Sequence, residues 1–150
     1  MIKQFGFLFC LSMVPVIELR GAIPLGMSWG LPFWQVFAVC VLGNLLPVPF
    51  LVTFAERVLR WGVRLPKVGS LCAAIIRRGE QKANSIAGAE MLGLFLFVAI
   101  PLPGTGAWTG SLAAALLGLP VKKAVLPIAA GVVTAGIIMG IGTYGVLSFI

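Results

Sequence analysis

Two ionisable side chains, Glu18 and Arg20, stand two residues apart in VPVIELRGAIPLG, residues 14–26, inside sequence that otherwise reads as lipid-soluble. A carboxyl there could take up and release a proton, and a guanidinium could hold it or engage an anionic headgroup. A charge at the bilayer centre costs ~2.5–3.5 kcal/mol on insertion scales, so two of them must pair or meet water. Side chains two apart point to nearly opposite sides of an α-helix but share one face of an extended segment. Gly21 and Pro24 favour the extended form. Unwound backbone is tolerated at depth only where it lines a cavity or is buried in protein. Break and charges together predict a substrate or ion site that includes Glu18, Arg20 and Pro24.

A second stretch has the same character without charge. IPLPGTGAWTG, residues 100–110, interrupts a charge-free run from Met91 to Leu119. Pro101 and Pro103 free backbone carbonyls, and Gly104 and Gly106 permit a tight turn. Thr105 and Thr109 add hydroxyls, and Trp108 offers an amphipathic wall. If both breaks meet near the midplane, Glu18 and Arg20 face this polar, uncharged loop. Asn44, in the next apolar run, joins the candidate site, although an interhelical hydrogen bond is the blander role.

The elements that must carry these residues follow from composition. The chain has 150 residues, 60% hydrophobic and 10% charged, more apolar surface than a water-soluble domain of this size could hide. It reads as a single integral membrane domain, all-α. The net charge of +7 suggests nucleic acid at first sight, but seven of the eleven basic residues fall between Arg57 and Lys82. That clustering fits a cytoplasmic segment near anionic lipid, and no soluble domain remains to dock a groove. Histidine and aspartate are absent. Cys10, Cys40 and Cys72 show no metal spacing and read as buried small hydrophobes. Neither metal nor cofactor is expected. Lys3 and the apolar run after it resemble a signal peptide, but no small-residue cleavage site follows, so the run is read as mature sequence.

Phe5–Ile17 has thirteen residues, ~20 Å as a helix against a hydrocarbon core of ~30 Å. Leu31–Ala55 is long enough to span, with a kink expected near Asn44, Pro47 and Pro49. Glu56–Lys82 mixes basic and apolar residues around Pro66 and reads as an interfacial segment on the inner leaflet. Trp29, Trp34 and Trp61 read as interfacial anchors, and Glu56 and Glu80 as a solvated face. Met91–Ala99 and Ser111–Leu119 are each half a membrane long, and Ala124–Ile150 can cross. GLPFWQVFAVCVLG at 30–43 aligns with GLPVKKAVLPIAAG at 118–131, sharing Gly, Leu, Pro and the final Gly at a shift of 88. Upstream, Pro15 and Pro101 each sit in a broken apolar run, with a two-residue difference in spacing. The expected fold is therefore two inverted repeats, about 5–55 and about 85–150, each a re-entrant hairpin followed by a transmembrane helix. The segment 56–82 joins them. A hairpin at 91–119 that returns to its starting side leaves Lys122 and Lys123 with the basic segment, satisfying the positive-inside rule.

VIELRGAIPLG and AIPLPGTGAWTGSLAAALLG resemble the two signatures of the small multidrug export family, and the resemblance covers nearly the whole chain. That family is similar in architecture to the DedA (VTT) membrane proteins. The resemblance implies two inverted re-entrant hairpins, each followed by a spanning helix, and proton-linked movement of lipids or lipid carriers. DedA-like proteins often carry an acidic residue after a proline-glycine pair, whereas Thr105 follows Pro103-Gly104 here.

The leading expectation is a small proton-coupled transporter in the cell membrane. It would move an amphipathic substrate, either a lipid-linked phosphate or a hydrophobic drug-like ion, with the site at the two hairpin tips. One rival is a four-helix dimeric antiporter that exchanges protons for cationic drugs at Glu18. Another is a non-transporting scaffold or lipid-organising protein. An enzyme is not expected, because the only carboxylate pair would need Glu18 to meet Glu90. Two spans and two hairpins enclose little space, so a homodimer is plausible, with the Gly-rich last helix, which includes Gly136-x-x-x-Gly140, as a candidate contact.

Overall fold

The computed structural model describes residues 1–82 and 88–148, and among them every regular element is a helix. The expected start of the second repeat near residue 85 and the end of the last apolar run at Ile150 lie outside the described residues. The helices are α1 (Ile2–Met13), α2 (Glu18–Ser28), α3 (Phe33–Leu45), α4 (Val48–Gly62), α5 (Gly69–Lys82), α6 (Gly88–Ala99), α7 (Ala107–Leu116) and α8 (Val121–Leu147).

Two paths are long and apolar enough to cross a membrane: α3 with α4 over Phe33–Gly62, 30 residues, and α8 over Val121–Val146, 26 residues. At 1.5 Å per residue they reach ~45 and ~39 Å, beyond a hydrocarbon core of ~30 Å. The expected kink is present. α3 ends at Leu45 and α4 begins at Val48, with Pro49 in its first turn, where a missing N–H costs little. The other apolar helices, α1, α6 and α7, have 12, 12 and 10 residues and fall short of a crossing.

One expectation is corrected. Glu18 and Arg20 are not on an extended segment: α2 begins at Glu18 and runs through Gly21 and Pro24. The break lies one turn earlier, at Val14–Ile17. Pro24 is tolerated because it forfeits a single helical bond, the one its N–H would have given to the Arg20 carbonyl. Likewise Trp108 and Thr109 are in the first turn of α7, and the loop ends at Gly106.

α1 packs on α3 and α6 packs on α8, while α2 lies against α8 and α7 against α4. Two glycines set the close approaches. A Cβ at Gly43 would stand 2.6 Å from the Phe9 carbonyl oxygen of α1, and one at Gly131 would stand 2.9 Å from the Phe95 carbonyl oxygen of α6. Backbone cannot step aside as a side chain can. Gly131→Ala is therefore expected to destabilise by about 1–3 kcal/mol through overpacking. Gly93→Ala on α6, which meets nothing within 4 Å, should be neutral or stabilising by up to ~1 kcal/mol. Thermal unfolding of both variants in detergent checks this.

Within the Gly-rich last helix, the Gly136–Gly140 face is occupied within the chain, whereas Gly142 and Gly145 meet nothing within 4 Å. Cβ atoms at Gly136 and Gly140 would run into the rings of Phe37 and Phe33 on α3. Outward-facing Trp34, Phe50, Phe54, Leu126 and Ile141 leave apolar surface of the kind lipid covers. Of the cysteines expected to be buried, Cys40 is buried, Cys72 half-buried and Cys10 exposed.

The backbone repeats where Gly-Leu-Pro repeats. Gly30 and Gly118 take left-handed φ of 73° and 69°. Leu31 N–H donates to the Gly26 carbonyl and Leu119 N–H to the Ala114 carbonyl, closing α2 and α7 alike. Pro32 and Pro120 then open α3 and α8 as extended N-caps.

Candidate functional site: a buried clasp between two helix breaks

The first break is strained. Val16 and Glu18 take left-handed φ of 78° and 49°, a conformation β-branched residues rarely adopt and one stored at sites that the surrounding structure over-determines. This twist starts α2 with its first side chain turned toward the other half of the chain. Glu18 and Arg20, two apart on a helix, then meet after all: Arg20 Nη1 stands 3.6 Å from Glu18 Oε2, with their side chains 14% and 6% exposed.

Both groups also reach across to the second break. Glu18 Oε1 accepts a hydrogen bond from the Trp108 backbone N–H at 3.2 Å. Trp108 is the second residue of α7, whose N-cap is Gly106. A glycine has no side chain to satisfy the first N–H groups of a helix, so the Glu18 carboxylate serves as the cap from another helix, where the helix dipole also favours negative charge. Gly106 has extended backbone that any residue could adopt. Glycine is needed there for space, because a Cβ would stand 2.6 Å from Glu18 Cδ and against both carboxylate oxygens.

Arg20 Nη2 donates to the carbonyls of Val98 at 3.1 Å and Ile100 at 3.2 Å, and to Thr105 Oγ1 at 3.1 Å. Thr105 Oγ1 in turn holds its single O–H within reach of two loop carbonyls, Ile100 and Leu102. The last carbonyls of α6 have no helical donors because the helix stops at Ala99, two residues before Pro101. The guanidinium fork fills that role. Trp108 returns the contact: its indole Nε1–H donates to the Met13 carbonyl, at the end of α1, at 3.0 Å.

Asn44 completes the site. It is 1% exposed, and its Oδ1 has no hydrogen-bond partner; Arg20 Nε is likewise buried and unpartnered. Both residues line, with Glu18, Gly106, Val132 and Ala135, a narrow gap with no place wide enough for a water.

Of the candidate residues, Glu18, Arg20, Asn44, Thr105, Gly106 and Trp108 come together. Pro101 stands just past the end of α6, next to the Ile100 carbonyl that Arg20 engages. Pro24 lies within α2, Gly104 turns the exposed loop beside Pro103 at φ 82°, and Thr109 bonds back to Gly106. The carbonyls of Met13, Val98 and Ile100 were missed, because backbone acceptors leave no mark in residue type beyond the prolines that follow. Among the described residues, no group of three or more His, Cys, Asp or Glu side chains is placed to hold a metal ion.

All-helical packing with two apolar paths long enough to cross a membrane fits the class of membrane proteins. The family follows from the sequence profile described as "Putative small multi-drug export protein", which matches residues 18–138. The chain belongs to that family. No curated protein and no solved structure matches it.

Proposed function

We propose that the chain is a proton-coupled exporter of amphipathic small molecules, with Glu18 as the exchanging carboxyl and the clasp as its gate. The observation that carries this reading is the Glu18 carboxylate itself, which bonds both to Arg20 beside it and to the α7 N-terminus across from it. Protonation would weaken the ion pair and the charge-assisted cap together, freeing one break from the other. Arg20 Nη2 is engaged by three acceptors at the opposite break and Nη1 by Glu18, so its role is to position that loop. This favours a cationic or neutral amphipath over a phosphate as substrate.

Two inverted repeats suit this gate. Under the 88-residue shift Glu18 falls on Gly106 and Arg20 on Trp108, and these four residues form the clasp. Arg20 reaches the end of α6 while Trp108 reaches the end of α1. Reciprocal contacts of this kind are what a pseudo-two-fold axis produces. In this reading α1–α2 and α6–α7 are re-entrant hairpins, each followed by a crossing path, with the charged pair near the midplane. Gly118 and Pro120 share a cavity wall with Glu56 and Glu80, so Lys122 and Lys123 stand near the basic segment. Positive-inside bias then makes that end cytoplasmic and the protein an integral cell-membrane protein. A homodimer would need a face other than the Gly136–Gly140 one.

Liposomes holding a pH-sensitive dye, with hydrophobic cations and lipid phosphates added in turn, test the reading. Substrate-dependent proton flux is expected from the wild type, and none above protein-free liposomes from Glu18→Gln. Flux that survives in Glu18→Gln would move the proton site elsewhere. Absence of flux in folded wild type with every compound would favour a scaffold or lipid-organising role.

A further inference from the structure

A second cavity lies away from the clasp, between α4, α5 and the α7–α8 turn. It holds about 230 Å³. Its walls are aliphatic, from Leu59, Ile75 and Ile76, and its charged groups are Glu56, Glu80 and Arg60. Among the described residues, no hydrogen bond or ion pair engages these three side chains.

The position sets what can reach it. The α3–α4 path outruns the hydrocarbon core, so if Phe33 marks one boundary, ~20 residues bring the other near Val52. Glu56 and Arg60 then stand one and two turns further on, at headgroup level. The volume sets the size. Pockets that enclose drug-sized ligands hold ~300–1,000 Å³, so this one suits a molecule whose bulk stays outside.

The charges are not imposed by the fold. The 88-residue shift carries Glu56 onto Tyr144, Arg60 onto Ser148 and Gly118 onto Gly30. Tyr144, Ser148 and Gly30 line one cavity, of about 390 Å³, near the junction of α2 and α3. Equivalent geometry there carries no charge among its lining residues. The carboxylates and guanidinium at the α4–α5 cavity are additions that a ligand of both signs would answer.

We propose that this cavity binds the headgroup of a zwitterionic aminophospholipid. Glu56 and Glu80 take the primary ammonium, Arg60 takes the phosphate, and the acyl chains remain in the bilayer along exposed Phe54 and Leu116. A bare cation would leave Arg60 opposed to it, and a bare anion would leave the two carboxylates opposed. The proposal stands on the membrane setting and is independent of the export reading.

Native mass spectrometry of the purified protein tests it, with phosphatidylethanolamine, phosphatidylcholine and phosphatidylglycerol of identical chains added separately. Phosphatidylethanolamine should be retained at least about tenfold more than the other two, the scale of one charge-assisted hydrogen bond. Glu56→Gln with Glu80→Gln should abolish that preference, Arg60→Gln should weaken phosphatidylethanolamine and phosphatidylcholine alike, and Tyr144→Phe in the opposite cavity should change neither. Circular dichroism establishes that each variant is folded. Equal or tighter retention of phosphatidylglycerol would overturn the proposal in favour of a basic surface. So would capture of tetraphenylphosphonium that needs the carboxylates but is indifferent to Arg60→Gln, which would make the cavity a cation site.

Discussion

Replacing Arg20 by methionine is expected to destabilise the protein by about 3–5 kcal/mol, the cost of breaking a buried ion pair by removing one partner. Three losses coincide. Glu18 stays in the interior with its charge opposed only by the α7 N-terminus. The Val98 carbonyl, at the end of α6, loses its donor, and the Ile100 carbonyl just beyond loses one of its donors. Thr105, which ties the loop to Ile100 and Leu102, loses its link to α2. Arg20→Lys should fall between wild type and Arg20→Met, because an ammonium keeps the charge but not the planar fork. The decisive variant adds Glu18→Gln to Arg20→Met. Removing both charges should recover a large part of the loss, since buried pairs replaced together by neutral groups are often tolerated. Thermal or denaturant unfolding in one detergent measures all four proteins. A double variant no more stable than Arg20→Met would mean that the arginine acts on the loop alone.

The breaks and the charges of this clasp are legible in the sequence because each opposes its surroundings. A glutamate and an arginine in lipid-soluble sequence need partners, and prolines and glycines in apolar runs need a reason. The kink at Leu46–Pro47 and the half-length helices follow from the same signals. The conformation of the first break is not legible. Gly21 and Pro24 argue for an extended segment locally, yet Glu18–Ser28 is helical, since packing against α3 and α8 outweighs one lost helical bond. The left-handed φ of Glu18 is likewise a tertiary outcome: no propensity favours it, and it is held because the carboxylate caps a distant helix. Arg20 reads from sequence as a binder of anions. Only the fold shows that its Nη2 is engaged at the opposite break and its Nη1 by Glu18. Trp108 shows the reverse case, a residue singled out as a wall whose indole N–H has a definite acceptor at Met13.

Gly106→Ala is the sharpest probe of that cap. It should cost about 1–3 kcal/mol, because the new methyl group would overlap the Glu18 carboxylate in a packed interior. Gly104→Ala, two residues earlier, is a fair comparison. Gly104 is exposed and meets nothing within 4 Å, but its φ of 82° penalises any side chain, by ~1–2 kcal/mol. Magnitude alone therefore does not separate the two, and coupling does. In a Glu18→Ala background the overlap is gone, so Gly106→Ala should become much cheaper, with a coupling of ~1 kcal/mol or more. Gly104→Ala should cost the same with or without Glu18. The same background allows a gain. With the carboxylate removed, the α7 N-terminus has no side-chain cap, and Gly106→Ser can supply one from its own helix, worth up to a few tenths of a kcal/mol over glycine. Gly106→Ser in the wild type should destabilise instead, because its hydroxyl would compete for space with Glu18. A sign that reverses between the two backgrounds ties the identity of residue 106 to the carboxylate of residue 18. An equal cost in both would place the need for glycine in the loop rather than in the clasp.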